Sequence, residues 1–247
     1  MSGEDPALVR VRKLVAAAMG AVGTATACVA AVAPAQDDTD VQDRYADTIA
    51  GHTFVTIRRQ VHYGAVLALT RLWDHRAGGS TGSHLRLDDI SREFASTHVR
   101  YALVAWHVRR DTERMAGARP DAYPPEAIRR GAAESERVWA ARIDQFPRVH
   151  GRLRDRRLRR PLANLHDLRS RRLAHSEVSP HPNKPAFEAP SMSDLRRVLR
   201  ASQCLVRQAH LLVKRSHFSF ADVERLRMES ARAFWSMPLR AERRPGE

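Results

Sequence analysis

Cysteine is almost missing from these 247 residues: only Cys28 and Cys204 occur. Two thiols 176 positions apart make neither a disulfide framework nor a thiolate zinc site, and they fit a reducing compartment, so a cytoplasmic location is expected. Aromatic residues make up 6% of the chain, and no run alternates polar and apolar residues for long enough to read as a strand. There is no His-Glu-x-x-His pair, no phosphate-binding glycine loop and no dinucleotide fingerprint. Asp74-His75 offers two metal-ligand types, but two ligands are not a site, and neither a metal nor a cofactor is expected. Acidic residues are also short, with 28 Asp and Glu against 42 Lys and Arg. The resulting formal charge of +14 points to a polyanionic partner, nucleic acid or an anionic surface.

What is present reads as helix from end to end. Hydrophobic residues make up 43% of the chain, enough for a substantial core. The fold class expected is all-α, a single multi-helix bundle with an N-terminal Ala-rich helix. Residues 1–38 form that helix, 39–236 the bundle domain, and 237–247 a basic, disordered tail. Leu14 to Gln36 carries no charge, follows Arg10, Arg12 and Lys13, and ends in Ala33-Pro34-Ala35. Two readings stand for it: a secretory signal with its cleavage site, or a helix packed on the bundle through Val15, Met19, Val22, Val29 and Val32. A membrane-spanning helix is disfavoured by the alanine content, and no membrane partner is expected.

Further along, a long helix is expected from Val41 to Asp74, with Phe54, Ile57, Val61, Ala65, Ala68 and Leu72 as its inner stripe. Gly78, Gly79 and Gly82 mark the loop after it. A short helix opens at Leu87. Another spans Thr97 to Met115, with Tyr101, Leu103, Val104 and Trp106 inward. Pro125 opens a helix to about Arg152 that Pro147 should kink or divide. Leu195, Val198, Leu199, Leu205, Val206, Leu212 and Val213 make the clearest amphipathic stripe, and a final helix runs from Phe220 to Trp235 with Ala221-Asp222 as its cap. The four tryptophans read as core anchors rather than base-stacking platforms.

The positive charge is concentrated. Ten arginines lie between Arg148 and Arg172, against Asp155 and Asp167 alone. Such a cluster holds several phosphates and releases their counterions; the plain alternative for Arg152 to Arg160 is a solvated face or a disordered connector. Within this region Leu168-Arg169-Ser170-Arg171-Arg172-Leu173-Ala174-His175 sets one of twelve histidines just after three arginines, in a segment that reads as packed helix. Histidine titrates near neutral pH and suits proton transfer, and guanidinium groups stabilise phosphoryl charge without losing their own. On an ideal helix Arg171 and Arg172 share the face of His175, whereas Arg169, six residues earlier, is turned roughly 120° away. Arg160 is a further candidate phosphate ligand. His166 is a candidate second acid or base, though a bundle residue explains it as well.

Arg169 to His175, an arginine followed after five residues by a histidine, resembles the signature of the HEPN superfamily (higher-eukaryote and prokaryote nucleotide-binding domains). Leu67 to Asp74, Leu85 to Ile90 and the closing Ala233-Phe234-Trp235 are similar to the abortive-infection U-type HEPN proteins. The resemblance spans about residues 40 to 236. It implies a HEPN-like bundle and a metal-independent endoribonuclease of phage-defence or toxin type. Such an enzyme works as a homodimer with the two motifs facing each other; an antitoxin or defence partner is an open candidate that the sequence does not decide. His175 would be the general acid or base and Arg169 the phosphate ligand. Ser170 stands where the family often carries Asn, Asp or His, and serine cannot replace an imidazole. Two other classes stay open. One is a non-catalytic RNA- or partner-binding helical protein; the other is an exported basic helical protein.

Overall fold

In the computed structural model the described residues are 5–46, 48–74, 86–118, 123–170 and 191–237. Among them the chain is helical without a strand, an all-α bundle. The helices are α1 (Pro6–Asp37), α2 (Thr39–Tyr45), α3 (Ile49–Trp73), α4 (Leu87–Ala95), α5 (Thr97–Ala118), α6 (Pro125–Arg152), α7 (Arg159–Leu168), α8 (Met192–Lys214) and α9 (Phe220–Trp235). A π-helical turn, Leu153–Arg157, joins α6 to α7.

Helix α1 runs through the middle of the bundle against α3, α8 and α9. Its inner face is Leu8, Val11, Val15, Ala18, Val22, Ala25, Val29 and Val32, at alternating steps of three and four, all buried. The alanines let neighbouring backbones approach, and the half-buried Met19 packs beside this seam. The helix is long and apolar enough to cross a membrane. Here one face of it is taken up by the core, and 44% of its most apolar stretch is buried. Asp5 caps its start through the Ala7 amide at 2.8 Å, with Pro6 in the first turn.

The expected Val41–Asp74 helix is two helices. Asp38 ends α1 and caps α2, accepting from Asp40 N at 3.0 Å, and the chain is extended at Ala46 and Thr48 before α3 begins. Gly51 permits the tight elbow, since a Cβ there would stand 2.5 Å from the Tyr45 carbonyl oxygen. Within α3 the expected stripe holds only in part: Phe54, Ala65 and Leu72 are buried, but Ile57 is 37% exposed. Phe54 joins Tyr45 and Trp235 in a separate aromatic cluster, where Tyr45 stacks on Phe54 with centroids 4.5 Å apart. Trp235 donates its indole N–H to the Ala31 carbonyl at 2.8 Å, fastening α9 to α1.

Helices α4, α5 and α6 pack as a group beside this centre. Tyr101, expected inward, is 74% exposed, and the inner face of α5 is instead Val99, Leu103, Val104 and His107. Pro147 neither divides nor ends α6, which continues to Arg152. All seven residues of the α8 stripe are buried. The cap of α9 is Ser219, whose hydroxyl accepts from the Asp222 amide, rather than Ala221-Asp222.

Candidate active site

Helix α7 carries the arginine of the sequence motif. Pro161 sits in its first turn, where a missing N–H costs nothing, and Leu162, Leu165 and Leu168 are buried against the bundle. Arg169 is the residue that ends α7, still in right-handed helical conformation. With its leucine neighbours fixed, the guanidinium is aimed at the end of α3, where Asp74 stops that helix.

Asp74 gathers two candidate residues. Arg169 Nη1 lies 2.5 Å from Asp74 Oδ2, and His166 Nδ1 lies 3.4 Å from the other oxygen, Oδ1. His166 and Arg169 are three residues apart and therefore share one face of α7. All three side chains are partly exposed. One carboxylate thus holds a cation by a charge-assisted bond and stands close to an imidazole at the protein surface.

The remaining candidates divide by position. Ser170 is exposed immediately after Arg169. Arg160 is exposed at the other end of α7; nine residues from Arg169, it points to roughly the opposite azimuth, about 13 Å away along the axis. The structure does not bring it to the Asp74 cluster. Arg171, Arg172 and His175 lie outside the described residues, as does His75.

Beneath Asp74 the support is a layer of aromatic and polar side chains. Trp73 is buried, donates its indole N–H to Ser202 Oγ at 2.8 Å, and stacks on His150 with centroids 5.5 Å apart. Ser202 in turn donates to the Val198 carbonyl at 2.8 Å. His150 Nε2 lies 3.5 Å from Asp88 Oδ1, and Arg154 reaches the same oxygen at 3.0 Å. The layer therefore ties the end of α3 to α8, α6, α4 and the π-turn. The hydrogen bond to Asp155, assisted by the nearby Asp88, pushes the Arg154 guanidinium further up. On the other side of α7, Asn164 Nδ2 donates to Asp194 Oδ2 at 3.0 Å, fixing α7 to α8.

Sequence reasoning passed over Asp74 as a partner of the motif. Its only sequence signal is its place at a helix end, 95 residues before Arg169. It also missed His150 and His107 as core residues. Among the described residues no three His, Cys, Asp or Glu side chains converge as a metal would need.

Residues 10–234 match the AbiU2 HEPN family model, which takes in the motif arginine, the Asp74 cluster and every helix from α2 to α8. The chain belongs to the AbiU2 HEPN family. No curated protein and no solved structure matches it. The family match begins inside α1, so the central helix is counted with the domain it packs into.

Proposed function

We propose that this AbiU2-family protein is a metal-independent endoribonuclease in which Arg169 binds the scissile phosphate and His175 transfers protons. The observation that carries the reading is the clamp on Arg169. A guanidinium has five N–H donors in a rigid fork, and one bond to Asp74 fixes its plane while leaving others for a phosphate. A pre-positioned cation of this kind stabilises charge on non-bridging oxygens as the phosphorane develops, with no reorganisation during reaction.

The reaction is attack of a ribose 2′-hydroxyl oxygen on the adjacent phosphorus. The bond to the 5′-oxygen breaks, leaving a 2′,3′-cyclic phosphate and a 5′-hydroxyl. His175 takes the proton from the 2′-hydroxyl or supplies one to the 5′-oxygen. A second copy of the chain supplies the other imidazole across a two-fold axis, as the HEPN resemblance implies. His166 is the auxiliary group, held near Asp74 on the same face as Arg169. Arg171 and Arg172 add positive charge on the segment that follows. The biological setting is RNA cleavage in the cytoplasm during phage defence, under an antitoxin or other defence partner.

The test is incubation of the purified protein with total cellular RNA in excess EDTA, beside His175→Ala and Arg169→Ala variants with matched circular dichroism. Cleavage by the parent alone, with cyclic phosphate ends, is expected. Equal cleavage by the His175→Ala variant would remove that residue from the chemistry.

A further inference from the structure

The π-helical turn between α6 and α7 exposes a second set of arginines that the clamp on Arg169 does not use. The inner stripe of α6 runs Trp139, Ile143, Phe146 and His150, and the next fully buried residue is Leu158. Eight residues from His150 to Leu158 exceed two ordinary turns by about one residue, and the widened turn absorbs the excess. It closes with Leu158 N donating to Leu153 O at 2.8 Å. The phase shift keeps Leu158, Leu162 and Leu165 in register with the core and leaves Arg156, Arg157 and Arg159 exposed around Leu158.

The turn is held in place. Arg154 bonds Asp88 of α4 at 3.0 Å and Asp155 at 2.7 Å, so the acidic residue inside the turn is engaged by a neighbour. Arg156, Arg157 and Arg159 meet no carboxylate within ion-pair distance among the described residues. Helix α7 then acts as a rigid spacer, with about 15 Å of rise between Arg159 and Arg169.

We infer that Arg156, Arg157 and Arg159 form a docking surface for the phosphate backbone of the RNA whose scissile phosphate sits at Arg169. This rests on the proposed RNA-cleaving activity and adds where the rest of the strand lies. Three guanidinium groups a fixed distance from the reacting phosphate bind without reading bases, and they favour strands long enough to reach both ends of α7. The surface suits RNA rather than a lipid headgroup layer. Leu153 packs on the core and Leu158 is buried, so the turn presents no apolar side chain for insertion.

The experiment uses the full chain carrying His175→Ala, so that RNA stays intact, and a fluorescein-labelled 20-nucleotide single-stranded RNA. Anisotropy titrations run from 50 to 300 mM KCl. Adding R156A, R157A and R159A together should weaken binding at least tenfold at 100 mM salt. The slope of log affinity against log salt should fall by about 2, since each phosphate contact to a single strand contributes roughly 0.7. The matching triple lysine variant should recover most of that slope, which a misfolded protein would not do. Unchanged affinity and slope in the alanine variant would overturn the proposal. So would a loss confined to phosphatidylcholine–phosphatidylserine vesicles with RNA binding intact. If the alanine variant loses RNA binding while the parent chain cuts no RNA, the docking surface stands and the nuclease reading falls.

Discussion

His107 should make this protein acid-sensitive in a way that a single substitution can isolate. The side chain is fully buried on α5, stacked on Trp139 at a centroid distance of 3.5 Å. Nε2 donates to the Leu212 carbonyl at 2.7 Å, and Nδ1 is buried without a partner. A protonated ring would place a second N–H where nothing accepts it. Burial is the main reason the imidazole is driven down to about 4; the hydrogen bond to Leu212 is the next effect and opposes it, and the Arg215 and Arg142 guanidinium groups lower it further against a nearby Asp111.

The unfolded chain takes up a proton at His107 near pH 6.5 and the native state does not until about pH 4. The contribution to stability is therefore complete above about pH 6.5 and is lost as pH falls toward 4. Between pH 7 and pH 5 the loss from this residue alone is about 2 kcal/mol, a substantial share of an ordinary domain's stability. His107→Phe keeps a ring against Trp139 and cannot titrate. Urea unfolding of both proteins at pH 7.0, 6.0 and 5.0 gives the comparison. The parent should lose about 2 kcal/mol more than the variant across that range. Parallel losses would refute the argument, because they would mean that the native state accommodates the charged ring.

Four further outcomes are expected. Asp74→Asn should lower RNA cleavage on the order of tenfold to a hundredfold with little change in unfolding midpoint, because the clamp on Arg169 weakens while the fold is retained; single-turnover cleavage of a labelled RNA measures it. Trp73→Phe should cost about 1 kcal/mol in urea unfolding, since the stack on His150 survives and the bond to Ser202 does not. Gly51→Ala should cost roughly 1–3 kcal/mol, read as a lowered thermal midpoint, because the new methyl meets the Tyr45 carbonyl across the α2–α3 elbow. A thiol reagent at neutral pH should modify the exposed Cys204 well before Cys28, whose thiol is pushed up by burial; mass mapping after brief labelling tests the order.

The bundle was legible where one helix face is wholly committed to one core. Helix α8 has seven strongly apolar residues in phase, and all seven are buried. Where the chain breaks between two consecutive helices, pattern alone misleads. Val41 to Asp74 reads as one helix because nothing in its apolar spacing marks the elbow between α2 and α3, where Gly51 clears the Tyr45 carbonyl. Tyr101 reads as core because an aromatic ring next to Leu103 suits an inner stripe, yet Val99 and His107 take that face. The site divides in the same way. Arg169 can be singled out as a candidate because its motif is local, whereas Asp74 becomes its partner only when α3 and α7 end side by side, a consequence of tertiary packing.

That side-by-side ending also links stability to chemistry. The residue before Asp74 is Trp73, and its contacts with Ser202 and His150 are the means by which α3 ends at that height in the bundle. His150 and Arg154 converge on Asp88, so the same layer anchors the arginine turn. A change in this layer would disturb both the end of α3 that clamps Arg169 and the turn that carries Arg156, Arg157 and Arg159, since both lean on it. Loss of cleavage in a Trp73 or Ser202 variant is therefore expected to accompany loss of RNA affinity, whereas Asp74→Asn should separate them. Asp74 touches α7 only at its Arg169 end, and the turn that holds Arg156, Arg157 and Arg159 is fixed through α4.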